Sequence, residues 1–129
     1  MNPTDLRGSR TAVFCGAYGQ ETSDHKIVRQ NRDERGYFAT AQANYMIAGR
    51  LAFHLDLHGP SSQMSTACSS SFTALETAIL SIQCGKCDAA IVTGSNVHLS
   101  NFGQKDLMAL DVLAGDGRCK TYDASGRFI

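Results

Sequence analysis

Residues 60–72 decide the fold, and they read Pro60-Ser-Ser-Gln-Met-Ser-Thr-Ala-Cys68-Ser-Ser-Ser-Phe72. The small residues from Gln63 to Ala67 predict a short strand, and a helical pattern begins at Ser69. A strand therefore turns directly into a helix at Cys68, which is the geometry of a nucleophile elbow. Unpaired N–H groups and the macrodipole at a helix amino end favour an anion, so a thiolate is stabilised there. They can also stabilise the oxyanion of a tetrahedral acyl intermediate. A small buried core thiol with a serine N-cap stays an alternative.

The segment after Cys68 has a clear helical period. Its large apolar residues are three or four positions apart, at Phe72, Leu75, Ile79 and Ile82. They share one helical face, and Ala74 and Ala78 are small packing residues. Gly85 is expected to end this helix. The run from Asp88 to Thr93, closed by Gly94, predicts a strand that is buried on both faces.

The other elements complete an alternating order. Thr11 to Cys15, closed by Gly16, predicts a strand buried on both faces. Between Ala43 and Leu55, apolar residues at every fourth position predict a helix that stops before Gly59 and Pro60; they are Ile47, Leu51 and Leu55. The tail predicts a helix over 104–110 and polar turns over 114–126. Strand, helix, strand, helix, strand indicates an α/β layered fold in one structural unit, since no repeat or linker interrupts the chain.

Composition excludes several classes of function. The 129 residues carry 12 Lys and Arg against 12 Asp and Glu, which gives no basic field for nucleic acid and no anchor for an anionic membrane. No apolar run approaches the roughly 20 residues of a membrane span, and the amino end lacks a secretory signal, so we expect a cytoplasmic location. The charged stretch from Asp24 to Gly36 is interpreted as a solvated loop; the alternative is a docking patch for an acidic partner.

The five cysteines suggest reduced thiols, because their number is odd and no secretory context exists. Cys84-Gly-Lys-Cys87 has the spacing of a redox pair, but such a pair opens a helix in thioredoxin-like proteins, whereas here it follows one. A zinc site is a weaker alternative and would use Cys84, Cys87, His98 and Cys119. Neither a Gly-x-Ser-x-Gly elbow nor a dinucleotide or P-loop pattern is present.

The sequence around Cys68 resembles a known family. Gly59-Pro-Ser-Ser-Gln-Met-Ser-Thr-Ala-Cys-Ser-Ser-Ser-Phe-Thr-Ala-Leu75 is similar to the active-site signature of the β-ketoacyl synthases, the condensing domains of fatty acid and polyketide synthases. The resemblance extends to the preceding helix, the following strand, a later turn and an earlier strand, over residues 44–60, 87–97, 113–127 and 11–16. Within the family, the sequence most resembles the animal-type fatty acid synthases and the iterative polyketide synthases.

The resemblance implies a fold and a chemistry. The fold would be the amino-terminal half of a thiolase-like α/β/α/β/α architecture, with residues 1–129 as a partial β-ketoacyl synthase amino-terminal domain and Cys68 at the amino end of a buried central helix. Cys68 would accept an acyl group as a thioester, with its own N–H as one oxyanion donor. A malonyl unit on an acyl carrier protein would then attack it. The chain would bind no cofactor or metal, substrates would arrive on phosphopantetheine, and a homodimer partner would lie near Ala89 to Thr93.

The resemblance also has gaps. The family's two catalytic histidines and its lysine match no residue here, and the four histidines of the chain are interpreted as structural or surface residues; they are His25, His54, His58 and His98. We therefore expect a fragment that is inactive in condensation. Losing half of a core removes tens of kcal/mol, so the isolated chain should be marginally folded or aggregate. The alternatives are a non-catalytic remnant or interaction module and, less favoured, a thiol–disulfide oxidoreductase using Cys84 and Cys87.

Overall fold

The computed structural model describes residues 2–17, 40, 43–97 and 101–126, and of Phe102 only the backbone. The charged stretch over 24–36, with His25, and His98 lie outside these residues. Contacts divide the chain into two compact units, residues 1–97 and 98–129. That the whole chain forms one partial domain stays a prediction.

The first unit is a parallel sheet with a helix on each face. A short 3-10 helix, Pro3–Leu6, precedes the central strand β1 (Thr11–Ala17). Helix α1 (Met46–His54), strand β2 (Ser61–Met64), helix α2 (Ser70–Gln83) and strand β3 (Ala89–Ser95) follow. The strand order is β2-β1-β3, and both pairings are parallel. The predicted alternation of strands and helices is confirmed.

Strand β1 separates two small cores, because successive side chains point to opposite faces. Ala12 and Phe14 pack with Ala74 and Ala78 of α2 and with Cys87. On the other face, Val13 and Cys15 of β1 pack against α1 and the loop after it. The residues they contact there are Ala48, Ala52 and Leu57. The three α1-region residues of the predicted stripe pack against this second core and are partly buried: Ile47, Leu51 and Leu55. The prediction that β1 is buried on both faces is confirmed.

Helix α2 ends as its sequence predicts. Gly85 has a φ of +67°, the left-handed conformation that glycine adopts without a Cβ penalty. Its N–H donates to the carbonyl of Ile82 over 3.0 Å, and the N–H of Lys86 donates to that of Ser81 over 2.9 Å. These two bonds form a Schellman motif, which satisfies carbonyls left open at the end of a helix.

Two burial predictions are wrong. The residues of α2 that pack on the sheet are small, namely Ser70, Ala74, Ala78 and Ser81. The large apolar residues of the helix, Phe72, Leu75, Ile79, Leu80 and Ile82, are exposed, so α2 is not a buried central helix in this structure. We call these five residues the α2 apolar face. Strand β3 was predicted to be buried on both faces but is only exposed to half-buried, because it lies at the sheet edge and pairs only with β1 in the described part of the chain.

The α2 apolar face predicts self-association, since contiguous exposed apolar surface drives aggregation. We expect Ile79→Lys to change the free energy of unfolding by less than about 0.5 kcal/mol, because Ile79 is 47% exposed, and to reduce self-association measured by light scattering. Ala78→Lys is the control: it would bury a charge at a position that is 3% exposed and should unfold the chain. Unfolding of both variants would contradict this description of α2.

The second unit contains helix α3 (Phe102–Ala109), which overlaps the helix predicted over 104–110, followed by turns without helix or strand up to residue 126. None of the helices in the described ranges combines the length and apolar character that a membrane crossing requires.

Candidate functional site

Cys68 lies in the turn between β2 and α2, as the sequence predicts, and its thiol is exposed. The predicted strand over Gln63 to Ala67 is displaced, because β2 ends at Met64 and Cys68 does not follow it directly. Because β1, β2 and β3 are parallel, their carboxyl ends meet at one edge of the sheet. Open α/β sheets bind ligands at this edge. Cys68 follows the end of β2 and lies just before the first turn of α2. Because its thiol is exposed, the alternative of a buried core thiol is wrong.

The backbone turns sharply at Ala67. This residue has a φ of +53°, a left-handed conformation that costs a residue with a Cβ roughly 1–2 kcal/mol. Such conformations persist only where neighbouring groups hold them, and they concentrate at functional sites. The turn reverses the chain between Met64 and Ser70 and leaves Cys68 at its outer end.

Two serine hydroxyls brace the turn from the helix side. Ser70 Oγ accepts a hydrogen bond from the N–H of Thr66 over 2.8 Å and donates to the carbonyl of Ala67 over 2.7 Å. Ser69 Oγ donates to the carbonyl of Thr66 over 2.7 Å. Ser69 occupies the N-cap position, but its side chain caps no N–H of α2.

The amino end of α2 therefore keeps unused donors. Within the described residues, the backbone N–H groups of Cys68, Ser71 and Phe72 donate to no protein acceptor, whereas that of Ser70 donates to Ala67 over 3.1 Å. Open N–H groups at a helix amino end attract negative charge. Beside an exposed thiol, they can bind a thiolate or the oxyanion of an acyl intermediate.

Two glycines let the first turn of α2 approach the sheet. A Cβ on Gly16 would lie 2.5 Å from the backbone N of Ser71 and 2.6 Å from the carbonyl carbon of Ser70. A Cβ on Gly94 would lie 2.8 Å from the Ser71 Cβ. Gly16 and Gly94 are register partners in β1 and β3. The end of α2 that carries Cys68 is thus seated directly on the ends of these strands.

Sequence reasoning missed three of these positions: Gly16, Ser70 and Gly94. The sequence identifies the two glycines only as the ends of strands, and it offers the serines as a possible N-cap and as small neighbours that leave room for an acyl chain. A signal was available, because glycine at corresponding positions of two parallel strands indicates a close approach by another backbone.

The described residues support neither the redox pair of Cys84 and Cys87 nor the zinc site. Cys84 is exposed at the carboxyl end of α2, and Cys87 is buried in the core against Phe14 and Ala78. The pair thus follows the helix, whereas the amino end is the end that stabilises a thiolate. The described part of the chain holds no group of three or more His, Cys, Asp or Glu side chains arranged for a metal ion.

His54 and His58 lie on the surface beside a shallow depression of about 440 Å³, which is also lined by Arg7, Phe53 and Asp56. His58 Nε2 is 3.3 Å from Asp56 Oδ1. This position agrees with the interpretation of both histidines as surface residues, and it gives neither of them a contact with Cys68.

Two carboxylates shape the turns of the second unit. The ammonium of Lys120, 2.9 Å from Asp116, and the N–H of Arg118 lower the pKa of Asp116 below its ordinary value. The hydroxyl and N–H of Ser125, at 2.6 and 2.7 Å, lower the pKa of Asp123. Both sets of contacts are local to the turns that hold them.

Comparison with known proteins supports the resemblance. The sequence profile described as "Beta-ketoacyl synthase, N-terminal domain" matches residues 1–127. The chain is 40% identical over 126 residues to a fatty acid synthase of Anser anser anser, covering 98% of this chain and 36% of that protein. It is 41% identical over 120 residues to a highly reducing polyketide synthase of Cryptosporiopsis sp., covering 93% of this chain and 5% of that protein.

Solved structures agree. An oxazolomycin ketosynthase domain of Streptomyces albus superposes with a TM-score of 0.81 at 28% identity, over 97% of this chain and 21% of that one. A ketosynthase from the bacillaene synthase of Bacillus subtilis superposes with a TM-score of 0.74 at 24% identity, over 92% of this chain and 19% of that one, and this likeness concerns the fold alone. The described sheet with its two helices is thus a part of the thiolase-like ketosynthase fold, and the predicted fold class is confirmed. With this fold and the profile match over residues 1–127, the chain belongs to the β-ketoacyl synthase family, in its amino-terminal domain.

Proposed function

We propose that Cys68 is the acyl-accepting nucleophile of a condensing enzyme of fatty acid or polyketide biosynthesis. The observation that carries the proposal is the exposed Cys68 thiol beside the N–H groups of Cys68, Ser71 and Phe72, which donate to no acceptor among the described residues. Both a thiolate and an acyl oxyanion carry negative charge, so the same donors serve the reactant and the intermediate.

The first step is a thioester exchange. The Cys68 thiolate attacks the carbonyl carbon of an acyl thioester on the phosphopantetheine arm of an acyl carrier protein. A carbon–sulfur bond forms to Cys68, and the negative charge moves to the carbonyl oxygen, where the N–H of Cys68 donates to it. Collapse of this intermediate breaks the bond to the pantetheine sulfur, which leaves as a thiolate and takes up a proton.

The second step would form a carbon–carbon bond. Loss of carbon dioxide from a malonyl thioester on a carrier protein leaves an enolate, whose carbon attacks the acyl group on Cys68. The bond from that group to the Cys68 sulfur then breaks and regenerates the thiolate. No residue of this chain is assigned to the decarboxylation, because neither the two family histidines nor the lysine has a match in it. We therefore propose that the chain alone accepts acyl groups without condensing them.

The proposed partners follow from this chemistry. They are an acyl carrier protein and, in the complete protein, a second copy of the chain. Strand β3 supports the dimer, because it is paired on one side only within the described residues and an unpaired strand edge invites a further chain. We also propose a cytoplasmic location, since the five cysteines are free and unpaired thiols are typical of a reducing compartment.

The proposal is tested by incubating the purified protein with an acyl N-acetylcysteamine thioester, a small mimic of the phosphopantetheine arm. We expect one acyl adduct in the intact mass, mapped to Cys68 by peptide analysis. Cys119→Ala is the control that also removes an exposed thiol, and it should be acylated at the wild-type rate. Acylation of Cys84 or Cys119 in preference to Cys68 would contradict the assignment. A folded protein without any adduct would support the non-catalytic alternative.

A further inference from the structure

We propose that Ser70 is a positioning residue for acyl transfer to Cys68: its hydroxyl holds the turn in the shape that directs the N–H of Cys68 towards the acyl oxygen. The inference rests on the proposed function and adds a residue to it.

The hydroxyl of Ser70 makes two hydrogen bonds that hold the turn before Cys68 in place. Its side chain is buried, with only 4% of the residue exposed. The hydroxyl uses its proton on the carbonyl of Ala67, over 2.7 Å, and accepts from the N–H of Thr66, over 2.8 Å. One buried hydroxyl thereby ties both residues before Cys68 to the first turn of α2.

The turn needs such a brace because Ala67 has a left-handed backbone with a φ of +53°. A residue with a Cβ relaxes from this conformation unless its surroundings hold it. The Ala67–Cys68 peptide carries both the carbonyl that Ser70 binds and the N–H proposed as oxyanion donor. Rotation of this peptide would therefore turn the donor away from the acyl oxygen.

Two reactions of the Cys68 thiol distinguish a role of Ser70 in positioning the Cys68 N–H from a role in stabilising the folded protein. Acyl transfer passes through an oxyanion that needs an aimed donor. Alkylation by iodoacetamide is a displacement at a saturated carbon, in which the thiolate bonds to carbon, iodide leaves, and no oxyanion forms. The Ala67–Cys68 peptide does not carry the N–H groups of Ser71 and Phe72, so these still stabilise the thiolate when that peptide rotates. A misaimed N–H of Cys68 should therefore slow the first reaction and leave the second nearly unchanged.

The experiment compares Ser70→Ala with Ser81→Ala in the purified protein. Ser81 lies on the same buried face of α2, with 7% exposure, and it takes no part in the hydrogen bonds that Ser69 and Ser70 make to the turn. For Ser70→Ala we expect acylation of Cys68 by the thioester to fall at least about 10-fold, since the loss of an oxyanion donor costs about 10²–10³-fold, and alkylation to stay within about twofold. Ser81→Ala should change neither rate. Ser70→Thr, which keeps the hydroxyl, should restore acylation to within about threefold of wild type if the hydroxyl sets the rate.

Each outcome decides. Loss of acylation alone in Ser70→Ala, with restoration in Ser70→Thr, supports the inference. Equal loss of both rates, unchanged acylation in a folded Ser70→Ala, or a folded Ser70→Thr without acylation would overturn it. If Ser70→Ala does not fold, Ser70→Thr decides alone: acylation within about threefold of wild type supports the inference, and a folded variant that is alkylated but not acylated overturns it. A wild-type protein that is alkylated but never acylated at Cys68 would instead overturn the proposed function.

Discussion

Replacing Cys68 by serine is expected to lower acyl transfer from an acyl thioester by at least about 10³-fold, because a serine hydroxyl is not ionised at neutral pH and is a far weaker nucleophile than a thiolate. Sulfur and oxygen occupy the same position, and Cys68 is exposed, so the free energy of unfolding should change by less than about 0.5 kcal/mol. The measurement is the initial rate of thioester consumption together with the intact mass of the protein.

Cys84→Ser is the matched control for this experiment. Cys84 is also an exposed thiol of α2, but it caps the carboxyl end of the helix, where the macrodipole opposes a negative charge. We expect this variant to be acylated at the wild-type rate. Loss of acylation in Cys84→Ser, or its persistence in Cys68→Ser, would show that the amino end of α2 is not the acyl-accepting site.

The sequence predicts the turn that holds Cys68, but it does not predict which surfaces around that turn are buried. A strand of small residues followed by a clean helical period fixed the turn at Cys68, because both signals are local. The period of α2 also showed which residues share a face, but not which face packs on the sheet. Ala74 and Ala78 line the packed face, while Phe72 and Ile79 lie outside it. The sequence names Ala74 and Ala78 as small packing residues, which is confirmed, and the close approach of α2 to the sheet explains why small residues pack there.

Burial of β3 was mispredicted for a related reason. The apolar run from Ala89 to Thr93 predicts a strand, and a strand forms, but its burial depends on which strands and helices lie beside it. In the part of the chain that the structure describes, β3 is an edge strand. The bracing of the turn was equally hidden, since Ser69, Ser70 and Ser71 are chemically identical in the sequence. Only the structure shows that the hydroxyl of Ser70, rather than that of Ser71, reaches Thr66 and Ala67.

The close approach of α2 to the sheet leads to the second large prediction. Gly16→Ala is expected to destabilise the protein by about 3 kcal/mol, at the upper end of the cost of overpacking, which is a large share of the roughly 5–15 kcal/mol that hold a domain together. The added methyl group would lie 2.5 Å from the backbone N of Ser71, and a backbone atom in the first turn of a helix cannot move aside as a flexible side chain does. Relief requires α2 to shift away from β1 and to take Cys68 with it.

A series of glycine variants makes this prediction specific. At Gly94 the added methyl group would lie 2.8 Å from the Ser71 side chain, so Gly94→Ala should cost less than Gly16→Ala. At Gly49, inside α1, the nearest atom would be 4.0 Å away, and alanine there should be neutral or should stabilise the helix by up to about 1 kcal/mol. Urea denaturation gives the order of the three free energies, and the acylation rate of Cys68 reports the shift of α2. Gly16 and Gly94 both face the first turn of α2. If both of their alanine variants lose acylation while Gly49→Ala is acylated normally, the contact between α2 and the strand ends positions the nucleophile. A stable Gly16→Ala protein with wild-type acylation would contradict it.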